Sequence, residues 1–217
     1  MEMVLDLFSG LAWTIVYFDC IRVGIRDRTY AMPVAALALN IAWESMYAVH
    51  GLAAGISMQA VINVVWVSAD VAVVVTFFRF GRREFPSFIT PMMFGLGAGG
   101  LLVVAYVLQG LFVVKFGWND GGVYAAFLQN VLMSALFISM LLARRGDRGQ
   151  TLLIATAKWL GTLAPTLEFA ILYGRWFILG LGLLCTVFDL AYLGLLQWVR
   201  THPETLRSPT TSAIPGR

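Results

Sequence analysis

Asn40-Ile41-Ala42-Trp43-Glu44 lies inside a run, residues 32–50, that is otherwise almost wholly apolar. A run of this length is close to the ~20 residues a helix needs to cross a bilayer. A Glu at that depth costs about 2.5 kcal/mol or more on insertion scales, so such a residue faces a protein interior or a wet cavity and marks a candidate functional site. Asn40 precedes Glu44 by four residues and Tyr47 follows it by three. At helical spacing the three share one face, and this polar stripe has to point inward. The segment is therefore one membrane helix among several that must surround it.

The composition agrees. Hydrophobic residues make up 59% of the 217 and charged residues 12%, against roughly 25% charged in a soluble domain. Mean hydropathy is +0.80. The chain reads as an integral membrane protein in contact with the lipid bilayer, with little room for a soluble domain. The pI near 9.1 is not a nucleic-acid signal, because the bases cluster at helix ends, as orientation rules require. Cys20 and Cys185 stand alone in apolar runs and form neither a CxxC pair nor a zinc spacing. Acidic Glu2 and Asp6 make the N-terminal apolar stretch a first span rather than a cleavable leader.

Seven spans are expected, at 5–23, 32–50, 58–78, 89–108, 122–143, 151–173 and 176–199. Arginines fall in alternate connections: Arg22, Arg26 and Arg28, then Arg79, Arg82 and Arg83, then Arg144, Arg145 and Arg148, and finally Arg200, Arg207 and Arg217. The opposite side carries only Lys115 and Arg175. This alternation predicts an all-α bundle of seven transmembrane helices, with the N-terminus outside and the C-terminus cytoplasmic. Residues 1–200 form the transmembrane domain, and the Pro/Ser/Thr-rich segment 201–217 is expected to be a disordered cytoplasmic tail. The expected location is the cell membrane, as a multi-pass protein. Gly95, Gly97, Gly99 and Gly100 resemble a close-packing face for another helix.

Acids recur inside the other spans. Asp70 follows Asn63 by seven residues and Trp66 by four, again on one face. Asp189 has Tyr192 one turn on, Asp19 lies near the end of the first span, and Glu168 lies toward the outer end of the sixth. Each has a plainer explanation as well. Arg22 follows Asp19 at ion-pair spacing, Arg175 is near enough in sequence to pair with Glu168, and Glu44, Asp70 and Asp189 could be interhelical hydrogen-bond clips.

Missing parts exclude several chemistries. A seven-span retinal protein needs a Lys in its last helix, and the only lysines are Lys115 and Lys158. No DxxxD or DDxxD offers carboxylates for a diphosphate-bound Mg²⁺, no HExxH or His cluster offers a zinc site, and no GxSxG is present. No metal and no cofactor is expected. Acids and aromatics in an apolar chamber remain. Removal from water disfavours the charged form of a carboxyl, and a neutral carboxylic acid can donate a proton. Such an acid can protonate an alkene or epoxide, and ring faces stabilise the resulting cation by ~0.5–2 kcal/mol each. Trp43, Tyr47, Trp66 and Tyr192 are the candidate rings.

Taken in order, Tyr30 to Pro33 (Tyr-Ala-Met-Pro), Asn40-x-x-Trp43-Glu44, Trp66-x-x-x-Asp70 and Asp189-x-x-Tyr192 resemble the integral-membrane terpene cyclases of meroterpenoid and indole-terpenoid pathways, small seven-span proteins. The resemblance covers essentially the whole span layout, and Asn-x-x-Trp-Glu is its specific part. It implies metal-independent, proton-initiated cyclisation of a prenyl chain, of farnesyl type here, on an indole or other aromatic acceptor. It also implies Glu44 and Asp189 as the essential acids, with Asp70 and Asn40 as polar partners. Asn63, Asp19 and Glu168 join the candidate substrate-binding residues from burial alone. The alternative is a proton-coupled small-solute transporter gated near Pro91 and Pro165; a third is a scaffold whose acids only tie helices together.

Overall fold

The computed structural model describes residues 2–55 and 58–202. Six α-helices run α1 Glu2–Asp27, α2 Val34–Ala54, α3 Met58–Phe80, α4 Pro91–Arg144, α5 Leu152–Ile171 and α6 Trp176–Thr201, with a short 3-10 turn at Gly81–Glu84. No strand occurs among the described residues. In lipid every backbone N–H and C=O needs a partner within its own segment, which selects helices for apolar runs of this length. The starts follow local chemistry. Pro33 precedes α2. Thr90 accepts from the Met93 N–H ahead of Pro91, and Thr151 accepts from Ile154 N–H at 3.0 Å.

Among the described residues, four helices, Met3–Asp27, Gln59–Glu84, Pro91–Arg144 and Trp176–Thr201, are long and apolar enough to cross a membrane. The fourth and fifth expected spans are joined differently from the sequence expectation. Instead of a loop over 109–121, one 54-residue helix carries a single break at Gly117, where φ is 76° and ψ 174°. No proline interrupts this stretch, and among its glycines Gly117 is the one that takes up a conformation closed to residues with a Cβ. The two halves then fold back on each other. Gln109 donates to Gln129 across the hairpin at 2.8 Å, and Phe116 meets Tyr124 with centroids 5.2 Å apart.

The helices close into a ring. α1 packs on α3, α3 on α2, α2 on α4, α4 on α6, α6 on α5, and α5 back on α1. Inside it, Val16, Cys20, Val73, Met133, Phe137, Ile154, Tyr192 and Leu196 form a buried apolar cluster. The Gly95–Gly100 face does not receive a helix of this chain: nothing lies within 4 Å of a Cβ placed at Gly95, Gly97, Gly99 or Gly100. The first half of α4 instead rests on α2 through Leu101 and Ala105. At the arginine-rich end, Arg144 donates to Tyr30 O and Arg148 pairs with Glu84 at 3.1 Å, while Asp27 accepts from Gly149 N–H. These contacts join the ends of α1, α3 and α4. Residues 203–217, most of the expected tail, lie outside the described residues.

Two close approaches set the ring's spacing. Gly161 faces Trp13, and Gly182 faces Thr166, where an added Cβ would overlap the Thr166 side chain. Thr166 is stiff at χ1 and holds its hydroxyl on Thr162 O. Gly182→Ala is therefore expected to separate α6 from α5 and to cost about 1–3 kcal/mol, seen as a lowered thermal midpoint of the detergent-solubilised protein.

Candidate active site

Of the three residues predicted to share the inward face of α2, Asn40 and Glu44 are turned inside and Tyr47 is half-buried. Asn40 and Glu44 are both buried, and Trp43 and Tyr47, on the flank, stack at 4.5 Å. Trp43 donates to Gly122 O at 3.0 Å and Tyr47 to Trp118 O at 3.0 Å, which locks α2 to the second half of α4. Gly122 permits this approach, since a Cβ there would sit 2.9 Å from the Tyr47 ring.

Asp70, on α3, is fully buried, and its Oδ2 accepts from Asn40 Nδ2 at 3.1 Å. The same amide donates to the Tyr17 hydroxyl, from α1. The Asn40 carbonyl oxygen accepts from Gln129 at 3.4 Å. Glu44 stands one turn from Asn40 on the same face of α2 and is buried with it. Four helices thus bring two carboxyls, two amides and a phenol together.

Neither carboxyl has a cation: no ion pair to Glu44 or Asp70 is formed among the described residues. Glu44 Oε2 and Asp70 Oδ1 are buried and have no hydrogen-bond partner. A buried charge left in that condition is expensive, and an unpartnered polar atom costs its own desolvation. Unsatisfied buried polar atoms are rare in native proteins, and a redox or catalytic role is one of the reasons for keeping them.

Asn63 is buried on the same α3 face and accepts from Gln59 at 2.8 Å. Trp66 donates to Thr14 Oγ1 at 3.2 Å, with its ring 6.3 Å from that of Tyr17. The remaining predicted residues stand elsewhere. Asp189 is fully buried, but both of its oxygens are held by Lys158 Nζ, at 2.9 and 3.0 Å. Lys158 gives its third hydrogen bond to Ser134 at 2.6 Å. Tyr192 is buried toward the arginine-rich end, with its hydroxyl on Gln150 at 2.9 Å. Asp19 pairs with Arg22 at 2.5 Å and accepts from Thr151, tying α1 to α5. Glu168 is buried on α5, and Arg175 pairs with Asp120 at 2.8 Å.

Tyr17, Gln109, Gln129 and Lys158 were not singled out from sequence. Lys158 had a signal: an ionisable residue inside an apolar run implies a buried partner. The two glutamines are polar residues in apolar runs, but the bond from Gln109 to Gln129 is set only by the α4 hairpin.

A helical membrane protein with two unneutralised carboxyls at the centre of its bundle is the class that the fold and site define. The chain belongs to the Pyr4-like transmembrane terpene cyclases, whose family model matches residues 1–202. Among curated proteins it is similar to the Pyr4-family terpene cyclase mfmH of Annulohypoxylon moriforme, at 29% identity over 76% of this chain and 68% of that protein. It is similar to the terpene cyclase pyr4 of Aspergillus fumigatus at 25% identity, covering 89% and 85%. It is similar to the terpene cyclase atmB of Aspergillus flavus at 27%, covering 81% and 73%. No solved structure matches it. The chain is therefore a membrane protein and a terpene cyclase by family.

Proposed function

We propose that this cyclase closes a prenyl chain, of farnesyl type, carried on an indole or other aromatic acceptor, and that it starts the reaction with a proton and without a metal. The observation that carries this reading is the Glu44–Asp70 pair: two buried carboxyls from neighbouring helices, each with one oxygen free of any partner. Glu44 is the proposed general acid. Its proton adds to a terminal alkene or epoxide, the cation migrates as rings close, and a proton leaves the last cation, so the product of an alkene substrate is an isomer and no co-reactant is consumed. Asp70 and Asn40 hold the polar network around Glu44, and Asp189 is the proposed second acid or final base. Asn63, on the Asp70 face, and Asp19 and Glu168, at the two ends of the bundle, are kept as proposed substrate contacts.

Trp43, Tyr47 and Trp66 flank the acids and supply ring faces for the cation, as does Tyr192 if the folded chain reaches it. The bundle crosses the cell membrane seven times, with α4 supplying two crossings and the arginine-rich end in the cytoplasm; the charge asymmetry of the connections supports this orientation.

Membranes containing the full chain, incubated with a farnesylated indole and with its terminally epoxidised counterpart, are expected to yield a cyclic product isomeric with one of them. Return of both substrates unchanged would overturn the prenyl-indole assignment. Uptake of either into sealed vesicles without isomerisation would favour a carrier.

A further inference from the structure

The turn between α3 and α4 carries three arginines without counter-ions among the described residues. Other arginines at this end of the bundle do have an acid: Arg22 pairs with Asp19, Arg26 with Asp27, Arg148 with Glu84 and Arg200 with Asp147. Arg79, Arg82 and Arg83 are exposed, and among the described residues none of them pairs with an acid. The one acid of their own segment is engaged elsewhere. Glu84 Oε1 accepts from the Thr29 hydroxyl at 2.9 Å and lies 3.1 Å from the Arg148 guanidinium, so its charge serves the α1–α2 and α4–α5 connections.

The turn is also held rigidly. Phe77 and Phe85 each pack against Phe94, with ring centroids 4.8 and 5.4 Å apart, which pins both sides of Gly81–Glu84 to the start of α4. Gly81 lets the backbone lie on the Phe77 ring, where a Cβ would sit 2.7 Å away. Arg79 extends over the Phe80 ring at 5.5 Å. Beside the arginines, Phe78 and Phe88 are 53% and 70% exposed. Exposed rings next to exposed cations fit the boundary of a bilayer, where the ring enters the acyl region and the guanidinium stays at headgroup level. Arginine meets a phosphate through paired N–H donors. Orientation rules account for basic residues at one end of a bundle, but they require neither that the neighbouring acid be diverted nor that the turn be clamped. We propose that the α3–α4 turn is a binding site for an anionic phospholipid, with Arg79, Arg82 and Arg83 on the headgroup phosphate and Phe78 and Phe88 against its acyl chains. A lipid bound there braces α3, which carries Asp70, against α4 and stabilises the closed ring by mass action.

The test titrates the purified full-length chain, in a neutral detergent, with phosphatidylglycerol, with phosphatidylcholine and with inorganic phosphate, and follows the thermal midpoint. The midpoint is expected to rise with phosphatidylglycerol and to stay in place with the other two. An equal rise with phosphatidylcholine would mean that only acyl chains matter, and a rise with inorganic phosphate would mean a site for free anions; either overturns the proposal. An arginine near an anionic surface contributes on the order of fivefold in binding. Arg79→Gln with Arg82→Gln and Arg83→Gln is therefore expected to need about tenfold more phosphatidylglycerol, or more than that, for the same rise. Arg28 and Arg145, at the same end and also without an acid partner among the described residues, supply the control. Arg28→Gln with Arg145→Gln should titrate close to the wild type. Equal shifts in the two variants would reduce the effect to diffuse charge and overturn the site, as would a triple variant that titrates like the wild type. Should the triple variant fail to fold, Arg82→Gln with Arg83→Gln decides by the same comparison.

Discussion

Glu44→Gln is expected to give a folded, membrane-inserted protein that forms no cyclic product. Gln has the shape of the neutral acid, and the bonds of Asn40 to Tyr17 and Asp70 do not involve Glu44, so the α1–α2–α3 contacts survive. What is lost is the transferable proton. General acid catalysis contributes on the order of 10²–10⁴-fold, and here the proton starts the whole cascade, so the loss is expected at or beyond the upper end of that range. The thermal midpoint should stay near that of the wild type. Product formation at the normal rate would remove Glu44 from the mechanism. Asp70→Asn, measured beside it, separates the two carboxyls: a partner that organises the network should slow turnover without abolishing it.

The second large effect concerns stability. Lys158 and Asp189 are 0% and 1% exposed and satisfy each other, with Ser134 taking the remaining Lys hydrogen bond. Lys158→Met leaves Asp189 as an uncompensated buried charge, and removal of one partner from such a pair costs about 3–5 kcal/mol. Lys158→Met with Asp189→Leu removes both charges together, and replacement of a buried pair by apolar residues is often neutral or stabilising. The single variant is expected to denature well below the wild type in detergent and the double variant near it, a non-additivity that a double-mutant cycle reads directly. The folded double variant then tests the proposed role of Asp189. If Asp189 serves the reaction as second acid or final base, that protein makes no product; normal turnover would reduce the pair to a tie between α5 and α6.

The membrane helices and the inward face of α2 were legible because both rest on local periodicity. A run of about 20 apolar residues has few alternatives in a bilayer, and residues three and four apart share a helical face wherever the helix is placed. Asn40, Glu44 and Asp70 could therefore be assigned to interior faces from spacing alone. That Asn40 bonds both Asp70 and Tyr17 depends on how α1, α2 and α3 are rotated against each other, and no short-range pattern in the sequence encodes it. Asp189 shows the limit from the other side. Its burial was readable, but its partner is 31 residues away on another helix, and only the α5–α6 packing reveals that it is already satisfied. The hairpin of α4 was missed in detail because Gly117 is one of several glycines in its region, and sequence does not say which of them breaks the helix.

The ring described above is sealed by the packing of α5 against α1. During synthesis α1 emerges first, and the four elements bearing the carboxyl network are all made before α5 exists. Until then α1 lacks the neighbour whose Thr151 caps Asp19 and whose Gly161 receives Trp13. Without α5 and α6 the ring would be an open crescent, with α1 lacking the partner on which it packs. The last two helices therefore complete an enclosure around a polar network carried entirely by the first four.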